Sequence, residues 1–146
     1  VCRSPFAELW LSGIMRASAT STVAVSSAGF VGPGRQPPKE AIAVAARRGL
    51  DVSGHRSTLL TQPALDAAEL VVVMTAGQAR ALRTRFRPSR GVVLILGDLD
   101  PRPIGRRTIR DPWGCDESVF DASFERIERC LQELKGVLEG QPDSRA

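Results

Sequence analysis

Two apolar runs decide the fold of this chain: ELVVVM at residues 69–74 and VVLILG at residues 92–97. Each has the length of a strand, and an uninterrupted apolar run is typical of a strand that is covered on both faces. Between them, AGQARALRTRF at residues 76–86 is predicted to form a helix that Thr75 caps. A strand, a helix and a second strand in this order predict two parallel strands joined by a crossover helix.

The same alternation begins upstream of these strands. Ser4 and Pro5 are favourable as the N-cap and the first residue of a helix. One apolar face is predicted for that helix, formed by Phe6, Leu9, Trp10, Gly13, Ile14 and Ala17. TVAVSS at residues 22–27 is predicted to be a strand, and a second helix is predicted between Pro38 and Gly49.

The rest of the chain supplies two more helices. Thr61 is predicted to cap a short helix over QPALDAA. A long final helix is predicted from an apolar stripe at helical spacing, formed by Phe120, Phe124, Ile127, Leu131, Leu134 and Leu138. The complete order predicts an α/β fold, a three-layer sandwich with a parallel sheet and helices on both faces. Residues 1–140 are predicted to form a single domain, and residues 141–146 a disordered tail.

Composition argues against several classes of function. The chain has 146 residues and a net charge of +4, and no apolar run is long enough for a membrane span. The arginine pairs Arg47-Arg48 and Arg106-Arg107 are isolated, so we expect neither a nucleic-acid nor a membrane partner. Three cysteines without metal-ligand spacing suit a reducing compartment. We therefore expect a cytoplasmic protein that uses no cofactor and no metal.

Five segments resemble the motifs of one known family. They are CRSPFAE at residues 2–8, SSAG at 26–29, GLDVSGHRSTLLT at 49–61, ELVVVMT at 69–75 and RDPWG at 110–114. In the same order they resemble motifs of the low-molecular-weight protein tyrosine phosphatases, which are related to thioredoxin-coupled arsenate reductases. The resemblance implies a sandwich with a four-stranded parallel sheet. It also implies a phosphotyrosine-protein phosphatase that works through a cysteinyl-phosphate intermediate.

The resemblance assigns roles to individual residues. Arg3 corresponds to the arginine that clamps the phosphoryl group, and Ser4 to the hydroxyl that stabilises the attacking thiolate. Asp111 corresponds to the general acid that protonates the leaving phenolate. Trp113 corresponds to the aromatic residue that lines the substrate cleft.

The resemblance extends to the support of the phosphate loop and to the partners. Ser27 and His55 correspond to a buried hydrogen-bond network behind that loop, where a supporting role for His55 is favoured over catalysis. The implied substrate is a phosphotyrosine-containing protein or a small aryl phosphate. A bacterial-type tyrosine kinase is the candidate protein partner.

The nucleophile is where the sequence departs from the family pattern. Cys2 aligns with the second cysteine of the signature Val-Cys-x-Gly-Asn-x-Cys-Arg-Ser-Pro, which lies in the substrate-binding loop but does not attack. The attacking cysteine and the first strand are expected upstream of Val1, so we expect a truncated chain that is inactive as given. A second alignment makes Cys2 the nucleophile and deletes part of the loop. It is disfavoured, because so short a loop could not surround three phosphoryl oxygens with amides.

Two alternative functions remain open from the sequence. An arsenate reductase of the same fold needs further cysteines for a disulfide relay, and residues 75–110 contain none. Cys115 and Cys130 lie in the segment around Asp111 and in the last helix, and Cys130 is predicted to be a core residue. The other alternative is a non-catalytic phosphate-binding module, in which Arg3 and a helix N-terminus hold an anion.

Overall fold

The computed structural model describes residues 1–18 and 23–140, so the tail predicted at 141–146 lies outside the described residues. The elements in the described part are α1 (Arg3–Arg16), α2 (Lys39–Arg47), α3 (Gln62–Ala67), β1 (Leu70–Val73), α4 (Ala76–Arg85), β2 (Val92–Ile95), a 3₁₀-helix (Leu96–Leu99) and α5 (Glu117–Leu138). Among the helices described, none has the length and apolar character that a bilayer crossing needs.

The sheet confirms the arrangement predicted from the two apolar runs. β1 and β2 pair in parallel, with Leu70 opposite Val92 and Val73 opposite Ile95. The crossover between them contains α4, whose N-cap Thr75 accepts a hydrogen bond from the Gln78 N–H, as predicted. This βαβ unit places the carboxyl end of β1 immediately before the helix cap.

Helices cover both faces of this sheet. Alternate strand residues contact two separate apolar clusters, because successive side chains of a strand point to opposite faces. Leu70, Val72 and Leu94 contact a large cluster built from α1, α2 and α5. Val71, Val73 and Ile95 contact or belong to a smaller cluster with α3 and α4. The predicted α/β sandwich is therefore confirmed.

The large cluster is organised by aromatic side chains of α1 and α5. Phe6 stacks on Phe124 with ring centroids 4.0 Å apart, and Phe120 meets Phe124 edge to face at 6.0 Å. The stripe predicted for the last helix is the buried face of α5, with Leu138 partly buried at its end. Periodicity was sufficient here because the polar and apolar faces of α5 are cleanly separated.

The buried face of α1 differs from the predicted one. Leu11 and Met15 are buried, whereas Gly13 is exposed and Trp10 is only partly buried. The sequence of α1 is apolar on more than one side, so spacing alone allows two faces. Contact with α5 through Phe6 selects the side that carries Leu11 and Met15.

The predicted start of α1 is wrong by two positions. The helix begins at Arg3, and the N-cap position belongs to Cys2, whose side chain makes no capping hydrogen bond. Ser4 is therefore inside the first turn and is not the cap. Pro5 is tolerated in that turn, because the first N–H groups of a helix have no intrahelical partner.

Two strand predictions need correction. Residues 23–27 form no strand, because no neighbouring strand pairs with them in the described part, and residue 22 lies outside it. β2 is not covered along its whole length, since Val92 is 66% and Val93 39% exposed. The covering helices reach the carboxyl ends of the strands, where Val73 and Ile95 are buried.

The arginine pair at residues 47–48 is engaged inside the fold. Arg47 contacts Glu117 at 2.7 Å, and Arg48 contacts Asp121 at 2.8 Å and Glu128 at 2.6 Å. These ion pairs join the end of α2 to α5. Positive charge at this position is therefore balanced by the protein itself.

The buried thiol of Cys130 makes stability sensitive to alkaline pH. Burial raises the pKa of Cys130 from about 9 to about 11. Because the folded value is the higher one, the neutral thiol stabilises the fold below the unfolded pKa of about 9, and that contribution is lost as pH rises towards 11. Each pKa unit corresponds to about 1.36 kcal/mol, so the loss over two units is about 3 kcal/mol.

Cys130→Ala should flatten that pH dependence. We expect the variant to be less stable than the wild type at neutral pH, because a buried sulfur is removed. Between the two pKa values, however, its free energy of unfolding should fall by about 3 kcal/mol less than that of the wild type. Urea denaturation across this pH range, with reductant present, measures the difference. Parallel curves for the two proteins contradict the prediction.

Candidate active site

Arg3 joins α1 to a distant loop. It is the first residue of α1, and its guanidinium is buried. Nη1 donates to the backbone carbonyl of Ile109 at 2.6 Å, and Nη2 donates to Oδ2 of Asp111 at 2.9 Å. The structure thus brings together two residues that are 108 positions apart and that the sequence assigned to one site. The N-terminus of α1, with its unpaired amides, lies at the same place.

The loop that carries Asp111 is anchored at the carboxyl end of β1. The Ile109 N–H donates to the carbonyl of Met74 at 3.0 Å, and the Ile109 side chain is fully buried. Pro112 is also buried, so the residues on both sides of Arg110-Asp111 are fixed. Because ligands of parallel α/β sheets bind at the carboxyl ends of the strands, this is the expected edge for a site.

The Asp111 carboxylate has one oxygen for each of two contacts. Oδ2 accepts from Arg3, and Oδ1 accepts from the Trp113 N–H at 3.3 Å. The chain then turns, with the Cys115 N–H bonded to the Pro112 carbonyl and Gly114 at φ +75°, where a side chain is disfavoured. The Asp111 side chain is 56% exposed, so it is held in place yet open to solvent.

Trp113 presents an aromatic surface beside the acid. Its side chain is 52% exposed, and the guanidinium of Arg35 lies 4.8 Å from the ring centroid. The backbone of Arg35 is held on both sides by Ser57, whose hydroxyl accepts from the Arg35 N–H and whose N–H donates to the Arg35 carbonyl. Sequence reasoning missed Arg35, because its glycine- and proline-rich loop has no spacing that points to Trp113.

Burial shifts the pKa values of Cys2 and Arg3, the two residues at the start of α1. It raises the pKa of the Cys2 thiol to about 11, so this thiol is neutral at physiological pH. Burial also lowers the pKa of Arg3, and the neighbouring Asp111 carboxylate opposes that shift. Cys2 therefore lies beside the site without the properties of a nucleophile, since the thiolate is the reactive form.

The remaining residues assigned from sequence lie next to α1. Ser4 is half-buried in its first turn, beside Arg3. Ser27 and His55 are half-buried, not fully buried as the resemblance implied. The single hydroxyl proton of Ser27 is donated to the carboxylate of Glu8, so it is not shared with His55. Desolvation lowers the pKa of His55, which favours the neutral ring.

Within residues 1–18 and 23–140, no three His, Cys, Asp or Glu side chains are grouped so that they could hold a metal ion. The cluster at the start of α1 instead consists of a buried guanidinium, helix amides and one carboxylate. Such a set suits an anion with several oxygens.

Comparison with known proteins agrees with this chemistry. The sequence model of the family described as low molecular weight phosphotyrosine protein phosphatase matches residues 1–142. The chain belongs to this family. The resemblance inferred from five motifs is thereby confirmed, and with it the class of the protein, a protein-tyrosine-phosphatase family of hydrolases.

Individual relatives of this chain carry two kinds of name. A probable low molecular weight protein-tyrosine-phosphatase EpsP of Ralstonia solanacearum is 31% identical, over 88% of this chain and 83% of its own. The structure of Wzb from Vibrio vulnificus in complex with benzylphosphonate has a TM-score of 0.81 at 27% identity, covering 94% and 92% of the two chains. The YwlE arginine phosphatase from Geobacillus stearothermophilus has a TM-score of 0.81 at 26% identity, covering 99% and 90%.

Proposed function

We propose that this protein hydrolyses the phosphate monoester of phosphotyrosine in proteins, through a cysteinyl-phosphate intermediate. The observation that supports the proposal is the contact between the Arg3 guanidinium and the Asp111 carboxylate at the N-terminus of α1. This contact places an anion-binding group, Arg3, next to a proton donor, Asp111. The two groups are the ones that phosphoryl transfer from an oxygen leaving group needs.

Arg3 and α1 bind the phosphoryl group. Nη1 stays on the Ile109 carbonyl, and Nη2 exchanges Asp111 for a phosphoryl oxygen when substrate enters. The helix amides supply further donors to the remaining oxygens. Since the guanidinium is buried, little water screens its charge, and it stabilises the charge of the transition state strongly.

Asp111 acts as the general acid. Released from Arg3, the carboxyl group carries the proton that the leaving group needs. It gives that proton to the phenolate oxygen as the phosphorus–oxygen bond breaks and a sulfur–phosphorus bond forms. In the second step it takes a proton from the water that cleaves the sulfur–phosphorus bond. The buried Pro112 fixes its approach, and Trp113 offers a face to the tyrosine ring.

The attacking thiolate is a cysteine other than the three of this sequence. Burial raises the pKa of both Cys2 and Cys130 to about 11, and Cys130 lies in the core. Cys115 is on the turn after Asp111, with its Sγ 3.8 Å from Nη2 of Arg110. We propose that these 146 residues alone are catalytically incomplete, with Cys2 and Ser4 in the wall of the phosphate site.

The proposed substrate is a phosphotyrosyl protein, with small aryl phosphates as surrogates. The exposed ring of Trp113 beside Asp111 supports an aromatic leaving group. The Ralstonia relatives named as probable protein-tyrosine-phosphatases support the same choice over phosphoarginine. A bacterial-type tyrosine kinase is the proposed source of the phosphoprotein.

The test compares the full-length natural protein with residues 1–146. Each is incubated with p-nitrophenyl phosphate, a phosphotyrosine peptide or phosphoarginine, then quenched in acid, and the phosphorylated residue is mapped by mass spectrometry. We expect the full-length protein to turn over the aryl phosphate, to prefer phosphotyrosine to phosphoarginine, and to form a phosphocysteine. We expect no phosphoenzyme from residues 1–146, because burial raises the pKa of the Cys2 and Cys130 thiols to about 11 and so keeps them neutral.

Each alternative has its own outcome in this test. Phosphate mapped to Cys2 contradicts the role proposed for that residue. Preference for phosphoarginine overturns the proposed substrate. Phosphate binding without a phosphoenzyme indicates a non-catalytic module. A parallel incubation with arsenate and reduced thioredoxin is added for the reductase, which oxidation of the thioredoxin would indicate.

A further inference from the structure

Arg126 of α5 is bonded to the segment that leads to Asp111. We call residues 106–110 the approach segment. Nη1 of Arg126 donates to the Thr108 carbonyl at 2.8 Å, and Nη2 donates to the Arg106 carbonyl. One guanidinium on α5 therefore binds two backbone carbonyls of the approach segment and ties that segment to the helix.

The guanidinium of Arg126 is itself fixed by a buried carboxylate. Nε donates to Oδ2 of Asp100 at 2.7 Å, and the Asp100 side chain is only 2% exposed. Burial alone would raise the pKa of Asp100, but hydrogen bonds from the Arg102 N–H, Arg129 and Arg126 lower it. The carboxylate is therefore ionised, and it orients Arg126 towards the approach segment.

Further contacts show that the approach segment is packed closely on this side. The buried Ser123 hydroxyl donates to the Arg110 carbonyl at 3.1 Å, one residue before the acid. A Cβ on Gly97 would lie 1.9 Å from the Arg107 carbonyl oxygen and 3.1 Å from Nη2 of Arg126, so only glycine fits there. Movement of this backbone is consequently opposed from two directions.

We propose that Arg126 is a positioning residue for catalysis, which sets the location of the Asp111 carboxyl by holding the carbonyls of Arg106 and Thr108. The inference rests on the proposed function, in which Asp111 is the general acid. Arg126 touches neither substrate nor acid. It acts through the backbone, whose displacement by a fraction of an ångström weakens proton transfer to the leaving group.

Arg129 provides a matched control on the same helix. It contacts the same carboxylate, with Nη2 3.3 Å from Oδ2 of Asp100, and Nη1 donates to Glu125 at 3.0 Å. Its hydrogen bonds are to carboxylates and not to the approach segment. Both arginines thus contribute to the ionic cluster, but only Arg126 reaches the carbonyls.

The experiment measures Arg126→Gln and Arg129→Gln in the full-length protein. The first readout is hydrogen exchange of the Ile109 amide, which donates to Met74. The second is kcat/KM on two substrates. Phenyl phosphate releases phenolate, a poor leaving group that needs the proton, whereas p-nitrophenyl phosphate releases p-nitrophenolate, a good leaving group that needs it less. Arg126→Lys is included, since it keeps the charge beside Asp100 but cannot hold two carbonyls.

For Arg126→Gln we expect roughly 10-fold faster hydrogen exchange of the Ile109 amide. We also expect kcat/KM to fall roughly 10-fold on phenyl phosphate but by less than about 3-fold on p-nitrophenyl phosphate. Arg126→Lys should show smaller changes of the same kind in the exchange rate and in kcat/KM. If Arg126→Gln does not fold, Arg126→Lys is the variant that tests the role of Arg126. Arg129→Gln should leave both readouts near the wild type. Equal changes in the two variants, or faster exchange without the selective loss on phenyl phosphate, overturn the role of Arg126. Absence of turnover in the wild type overturns the proposed function instead.

Discussion

Replacing Arg3 by alanine in the full-length protein is expected to lower kcat/KM for a phosphotyrosine peptide by roughly 10³-fold or more, the scale of losing an arginine that stabilises phosphoryl transfer. The guanidinium is buried and already directed at the place where the acid lies. Without it, the dianion and the charge that develops in transfer lose the buried cation that is directed at them. The loss should appear in kcat as well as in KM, because this interaction is strongest in the transition state.

Two further variants separate catalysis from folding. Arg3→Ala leaves the buried Ile109 carbonyl without its donor, at a cost of about 1–3 kcal/mol in stability. Arg3→Lys keeps the charge but not the fork, so it should recover only part of the rate. Arg16→Ala removes an exposed arginine at the other end of α1, whose Nε donates to the Ser12 carbonyl, and should leave the rate near the wild type. A folded Arg3→Ala protein with near wild-type kcat/KM contradicts the assignment.

The parts of the fold that the sequence predicted are those with a local physical signal. Thr61 and Thr75 cap their helices as predicted, because an N-cap needs only a hydroxyl next to its own first turn. Gly49 follows α2 with φ +76°, the position where glycine is favoured. The exposure of Val92 was not predictable in this way, since it depends on how far distant helices extend over the sheet.

The candidate site shows the same division. Arg3 and Asp111 were identified because each lies in a short motif, and the structure places their charged groups in contact. Arg35 contacts Trp113, and Arg126 contacts the approach segment, in both cases between segments far apart in sequence. No local spacing in the sequence encodes such long-range contacts. Exposed and buried arginines are indistinguishable in a sequence that contains many of them.

Replacing Asp111 by asparagine should lower kcat/KM on phenyl phosphate by roughly 10²- to 10⁴-fold, the usual contribution of a positioned general acid. Asparagine retains an oxygen that can accept from Arg3 or from the Trp113 N–H, so the loop should keep its geometry. What it lacks is the transferable proton. The loss should therefore be much smaller on p-nitrophenyl phosphate, whose leaving group departs without protonation.

A comparison of two substrates and a second aspartate test whether the proton is the cause. If Asp111 supplies the proton, Asp111→Asn loses much more of its kcat/KM on phenyl phosphate than on p-nitrophenyl phosphate. Asp116→Asn is the matched control, because Asp116 lies on the same loop but caps α5 through the Ser118 and Val119 N–H groups. Asparagine caps helices as well as aspartate does, so this variant should keep the wild-type rate. An equal loss on both substrates in Asp111→Asn removes Asp111 from the proton-transfer step.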